Sequence, residues 1–151
     1  MSSNVSKQRF YASLLMLGAC ILLFRTIMML SQGALDVLVY WASVLLIVEL
    51  LLDAACLLSS MRWWIADDKN YDRIPLRFGA AAALLHAVRV LVFVLGRIGP
   101  WIDFDVRPEQ RALHSSRWSW EEIYFAAIMA ALGVIGVLII WTIRRRSRKN
   151  H

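Results

Sequence analysis

The chain has 151 residues, 60% of them hydrophobic, with a mean hydropathy of +0.57 and a formal net charge of +6. That is too apolar for a soluble domain of this length, and it points to one all-α membrane domain over residues 1–151. The two cysteines form no CxxC pair, and the sequence has no P-loop, GxSxG or HExxH, which removes the enzyme classes those motifs define.

Four segments reach the ~20 predominantly apolar residues needed to span a bilayer as a helix: residues 10–30, 35–59, 78–98 and 123–143. A helix satisfies its backbone hydrogen bonds internally, as the hydrocarbon core demands. The first segment follows Lys7 and Arg9 and ends near Ser31-Gln32-Gly33, in the manner of a secretory signal. Its apolar stretch exceeds the roughly 7–15 residues of a signal core and contains Arg25, so it is expected to be a retained helix. At about 100° per residue, Tyr11, Gly18, Arg25, Met29 and Gln32 line up on one face.

A tight turn at residues 31–34 makes the first two spans antiparallel neighbours. The second span carries Ala42, Glu49, Asp53, Cys56 and Ser60 in a narrow stripe. Residues 61–77 form a charged connection with Arg62, Asp67, Asp68, Lys69, Asp72 and Arg73, and with Trp63 and Trp64 at the expected level of an interfacial aromatic belt. Pro75 marks the start of the third span, on which Gly79, Ala82, Ala83, His86, Arg89, Phe93 and Arg97 share a face. The loop 99–118 is predicted to hold one short helical turn after Pro108. Ser119 to Glu122 then reads as a capping box, with Trp118 stapled onto Ile123, opening the last span.

That span is uncharged and carries Ala126, Ala127, Ala130, Ala131, Gly133 and Gly136. Small residues at this spacing let helices approach closely in lipid, which makes this face a packing surface within the bundle or toward a second subunit. Arg144, Arg145, Arg146, Arg148 and Lys149 follow in the tail 144–151, which is suited to anionic lipid headgroups rather than nucleic acid. With Lys7, Arg9, Arg62, Lys69, Arg73 and Arg77, these place eleven basic residues on one side; Arg97, Arg107, Arg111 and Arg117 lie on the other. The expected architecture is therefore a four-transmembrane-helix antiparallel bundle in the cytoplasmic (plasma) membrane, with both termini cytoplasmic.

Depth selects the candidate site. At about 1.5 Å of rise per residue, Glu49, His86 and Arg89 fall within roughly 3 Å of the midplane, and Asp53 lies about one turn toward the cytoplasm. A Glu49 to Arg89 ion pair with His86 between Glu49 and Asp53 is expected. Arg25 sits in the outer half of the first span, near Asp36 and able to snorkel. One central charge costs about 2.5–3.5 kcal/mol on insertion scales, so pairing has a purely structural use. Intramembrane acids with His and Arg also mark ion and proton paths, and two acids against one Arg and one His leave a spare carboxylate.

The remaining groups carry less. Asp103, Asp105, Glu109 and His114 are interleaved with Arg107 and Arg111, which pair with them more simply than a metal would. Bis-histidine haem needs two core histidines and only His86 qualifies, so no metal and no cofactor is expected. Size and helix count resemble the glutathione-using membrane enzymes, and Val92 to Ile98 has a likeness to an Arg-bearing helix there. That family's Glu followed four residues on by Asn reads Glu49 and Asp53 here, and its charged loops are unmatched, so no residue is carried over.

The sequence thus favours an accessory or assembly subunit, acting as a homo-oligomer or beside a partner membrane subunit. An oligomeric ion- or proton-coupled transporter or channel using Glu49, Asp53, His86 and Arg89 comes second, and an enzyme on a lipid-soluble substrate third.

Overall fold

The computed structural model describes residues 2–66, 69–97 and 99–114 and, in the C-terminal segment, 124, 127, 128, 131, 133–138, 141, 142 and 145. It is all-helical. The helices are α1 (Ser2–Ser31), α2 (Ala34–Val37), α3 (Tyr40–Ile65), α4 (Arg73–Leu95) and α5 (Arg111–His114), with short 3-10 turns at Lys69–Asp72, Gly99–Trp101 and Pro108–Gln110. Three stretches are long and apolar enough to cross a membrane: Lys7–Ser31, Tyr40–Ile65 and Arg73–Leu95. The chain is therefore an integral membrane protein by composition and fold, and its spanning helices contact lipid. In the fourth expected span, each described residue from 124 to 142 is helical; the expected capping box at residues 119–122 lies outside the described residues.

The helices outrun their hydropathy limits. α3 continues to Ile65 and α4 begins at Arg73, so the connection expected over residues 61–77 shrinks to a few residues around a 3-10 turn. Pro75 sits in the first turn of α4, where its missing N–H has no helical acceptor to lose. At the other end, Gln8 of α1 donates to the carbonyls of Trp63 and Ala66, at 3.0 and 2.7 Å. These are among the carbonyls a helix C-terminus leaves unsatisfied.

The second expected span is broken near its start. Gly33, at φ 80°, supplies the left-handed turn after α1. α2 then stops at Val37, and Leu38 and Val39 are extended. Their backbone is taken up by the loop that follows α4: Val39 N–H donates to Asp105 O (2.9 Å) and Arg107 N–H to Val37 O (2.9 Å), across a bridge between Leu38 and Val106. The Arg107 guanidinium adds bonds to Leu38 O (2.9 Å) and Leu35 O (3.1 Å). Phe104 stacks on Trp41 with ring centroids 5.5 Å apart, closing the clasp.

Buried positions recur every three or four residues on all three long helices. The repeat runs through Ala12, Leu15, Ala19, Leu22 and Thr26 on α1; Ala42, Leu46, Glu49, Asp53, Cys56, Ser60 and Trp63 on α3; and Leu76, Gly79, Ala83 and His86 on α4, with Ser59, Pro75 and Ala82 buried beside it. This is the 3.5-residue period of left-handed bundles, the common packing of membrane helices. On α3 the buried stripe contains every residue expected of it. On α1 it lies one step round from the expected face: Tyr11, Gly18, Arg25 and Met29 are half-buried at its flank and Gln32 is exposed. The helix meets its neighbours with apolar and small residues, and its polar groups reach in from the edge.

The interior is layered. Leu38, Ala42 and Leu46 form an apolar cluster at one end, and Ala12, Leu15, Trp63 and Leu76 form another at the opposite end, joined by Val137 from the C-terminal segment. Between them lie the ionisable side chains. Phe24, Leu51, Leu58, Leu84 and Leu91 are among the large apolar residues facing outward, the arrangement lipid requires.

Candidate functional site

α3 carries its two acids four residues apart, one helical turn, so both carboxyl groups leave the same face. α4 sets His86 and Arg89 three residues apart, which likewise brings them onto one face. Packed antiparallel, the two helices bring all four together. Arg89 Nε lies 2.7 Å from Glu49 Oε2. His86 Nε2 lies 2.9 and 3.1 Å from the two oxygens of Asp53, and its Nδ1 faces Glu49 Oε1 at 3.6 Å. Glu49, Asp53 and His86 are sealed from solvent, and Arg89 is nearly so.

Neither Glu49 oxygen completes an aligned hydrogen bond, nor does His86 Nδ1. The short Glu49 contacts are thus ion-pair contacts, held by charge rather than by hydrogen-bond direction. The two arms of the site differ accordingly. Asp53 shares its hydrogen bonds with His86, whereas Glu49 lies in the field of two guanidinium groups, Arg89 and, from α1, Arg25. Arg89 Nη1 also reaches Met29 Sδ at 3.1 Å, which ties α1 to the cluster a second time.

Arg25 alters the balance read from the sequence. Counting it, two carboxylates face two guanidinium groups before His86 is considered, and no carboxylate is spare.

Two residues outside the expected site support it. Thr26 is completely buried one position from Arg25, and its hydroxyl donates to Leu22 O at 3.0 Å, so it adds no unpaired polar group. Gly18 lies beside an apolar crevice of about 270 Å³, whose walls include Leu15, Leu22, Asp53, Cys56, Gly79 and Gly136. The heptad position of Thr26 was readable in the sequence; the crevice was not, because it is defined by the absence of side chains on α1 and the C-terminal segment together.

The remaining candidates are placed as follows. Of the small-residue face, Gly133 packs toward Ala83 and Gly136 has open space beside it. Ala127 is half-buried and Ala131 exposed, and Ala126 and Ala130 lie outside the described residues. Arg145 is exposed, with its guanidinium over Trp141 at 5.3 Å; Arg144, Arg146, Arg148 and Lys149 lie outside the described residues. In the loop that follows α4, Asp103 pairs with Arg97 at 3.5 Å, and Asp105 is buried against Gly96. Burial pushes the Asp105 carboxyl above its ordinary range, and Asp103 adds to this, against the opposing pull of a backbone hydrogen bond and Arg97. Among the described residues no group of three or more His, Cys, Asp or Glu side chains is placed to hold a metal ion. Cys20 and Cys56 are free thiols, exposed and buried respectively.

Fold and site together define an integral membrane protein with ionisable groups buried between its spanning helices. Comparison with protein-family models, with curated proteins and with solved structures found no match.

Proposed function

We propose that this chain is an accessory or assembly subunit of the cytoplasmic membrane. In this reading it spans the bilayer four times with both termini cytoplasmic, and it works through its helical surfaces beside a partner subunit. The observation that carries the reading is the closure of the charge cluster within one chain: Arg25 from α1, Glu49 and Asp53 from α3, and His86 and Arg89 from α4 answer one another. Each helix brings a charge that is costly alone in lipid, so the cluster fixes which helices meet and at what depth. The surface beyond it is apolar helix, available to lipid and to other subunits.

The helical conformation of the described residues from 124 to 142, and the contacts of Gly133 and Val137 with the core, support a fourth span. The test is the mass and composition of the particle extracted from native membranes in mild detergent. Co-purification of other chains in fixed ratio is the expected result. A homo-oligomer free of other chains would transfer the case to ion- or proton-coupled transport through the same four side chains, with ion flux into proteoliposomes as the next assay.

A further inference from the structure

The crevice beside α1 opens sideways from the bundle. Leu14, Leu17 and Ile21 in its α1 wall are exposed residues of the span Lys7–Ser31, so its mouth is on the side that meets lipid. Gly18 and Gly136, on opposite walls, have no neighbour within 4 Å of the place a Cβ would take. Asp53 and Cys56 stand in the α3 wall, but both carboxylate oxygens of Asp53 are held at His86 Nε2. What the slot offers is therefore hydrocarbon and small residues, whose missing packing contacts an acyl chain supplies.

The groups at the end of the slot select among the lipids that bring such a chain. Gly133 stands against Ala83, and Val137 against Gly79, so the C-terminal segment runs antiparallel to α4, toward the end of the bundle where α4 begins. Leu15 of α1 also touches the Gly79 position, which puts Leu15 and Val137 at one level. Lys7 precedes Leu15 by as many residues as Arg145 follows Val137, and each lies about 12 Å further toward that end at the helical rise. The two cations thus flank the end of the slot together. Both are exposed, and the Arg145 guanidinium lies over the Trp141 ring at 5.3 Å, which orients its plane and leaves its N–H edge to an anion. No Asp or Glu occurs in residues 1–35 or 123–151. Neither flanking segment therefore has an acid to pair with these cations or to receive the ammonium of a zwitterionic headgroup.

We propose that the crevice is the site of one anionic phospholipid, with an acyl chain in the slot and its phosphate between Lys7 and Arg145. The guanidinium matches phosphate oxygens with paired donors, and the Lys7 ammonium adds a point charge. The slot itself does not discriminate, since membrane lipids share similar chains. The cations do, because a zwitterionic lipid brings a positive group of its own against them. This site does not depend on whether the chain is an accessory subunit.

The test is native mass spectrometry of the purified full chain in mild detergent, titrated with dioleoyl phosphatidylglycerol or dioleoyl phosphatidylcholine, which share acyl chains and differ in headgroup charge. One phosphatidylglycerol per chain should be retained, bound about tenfold more tightly than phosphatidylcholine, as two basic residues near a headgroup allow. Lys7→Gln combined with Arg145→Gln should remove that preference and keep the weaker binding common to both lipids. Arg62→Gln combined with Arg77→Gln removes the same charge from the same end. Both residues are exposed and lie more than about 100° round their helices from Cys56 and Gly79, so this variant should keep the preference.

Gly136→Leu places a side chain in the open space of the slot and should lose the retained lipid, whatever its headgroup, while keeping its helicity. Gly18→Leu fills the slot from the opposite wall and takes its place should Gly136→Leu not fold. Equal retention of the two lipids by the wild type overturns the proposal. So does an equal loss of preference in the two double variants, which would assign it to the summed charge of that end, or retention of phosphatidylglycerol by a folded variant with the slot filled.

Discussion

At Glu49 and Arg89 a 2.7 Å contact joins two charges in a region that offers neither of them water. Removing one partner of such a pair leaves the other buried and uncompensated, at a cost of about 3 kcal/mol. Glu49→Gln and Arg89→Leu should therefore each destabilise the purified protein by about that amount, and the double variant by less than the sum, since both singles break the same interaction. Equilibrium unfolding in mixed micelles measures all three, and strict additivity would mean that the contact contributes nothing. Asp105 presents the opposite balance. Burial holds its carboxyl above the ordinary range, so the folded protein binds that proton more tightly than the unfolded chain. Its contribution to stability is then greatest below the ordinary carboxylate range and is lost as pH rises through the raised value. Asp105→Asn should stabilise the protein at neutral pH, and its advantage over the wild type should vanish on acidification toward about pH 4. An advantage independent of pH would exclude titration of Asp105 as its source.

At the level of elements, the break between α2 and α3 shows what holds that end of the bundle together. The Val39 N–H and the Val37 carbonyl leave helical hydrogen bonding because Asp105 O and Arg107 N–H supply replacements, and the Arg107 side chain caps two further carbonyls. Arg107→Ala removes both side-chain bonds at once. With charge-assisted bonds each contributing about 1.5–3 kcal/mol, amide exchange at Val39 should accelerate by at least about tenfold while exchange in the middle of α3 stays unchanged. Equal acceleration at both places would make the clasp part of the global unfolding unit. The break was not legible in the sequence, where residues 35–59 form one apolar run, because its cause lies some 70 positions away in a loop. The α3 stripe of Ala42, Glu49, Asp53, Cys56 and Ser60 was legible, since polar residues in an apolar helix have only one tolerable side. The α1 stripe was misread by one position for a related reason. Arg25 and Met29 are long enough to reach the cluster from the flank, so polar character did not mark the buried face. The role of Arg25 followed from this: a depth estimate along one helix placed it near the outer surface, and only the packing of α1 on α3 brings its charge to Glu49.

For the molecule as a whole, the charge layer lies between two apolar clusters, one at each end of the bundle. This order constrains insertion: the helices must enter in alternating directions for Glu49 and Arg89 to reach the same level. The distribution of basic residues acts on the same choice: in the proposed topology eleven lie on the side of residues 61–77 and both termini, against four on the other. Cysteine labelling in intact cells tests that arrangement together with the fourth span, once Cys20 and Cys56 have been replaced by alanine. A membrane-impermeant maleimide should modify Gln32→Cys and Glu109→Cys directly, because the proposed topology puts both on the outer side, whereas Arg73→Cys and Lys149→Cys should react only after permeabilisation. Direct labelling of Lys149→Cys, with the other three as expected, would put the C-terminus outside and reduce the bundle to three spans. The basic tail would then face the wrong leaflet for the anionic lipid it is suited to bind. Protection of Gln32→Cys with direct labelling of Arg73→Cys would invert the whole molecule. Either result would require a force stronger than eleven basic residues to set the topology, and a partner subunit inserted beforehand is the one that the accessory reading supplies.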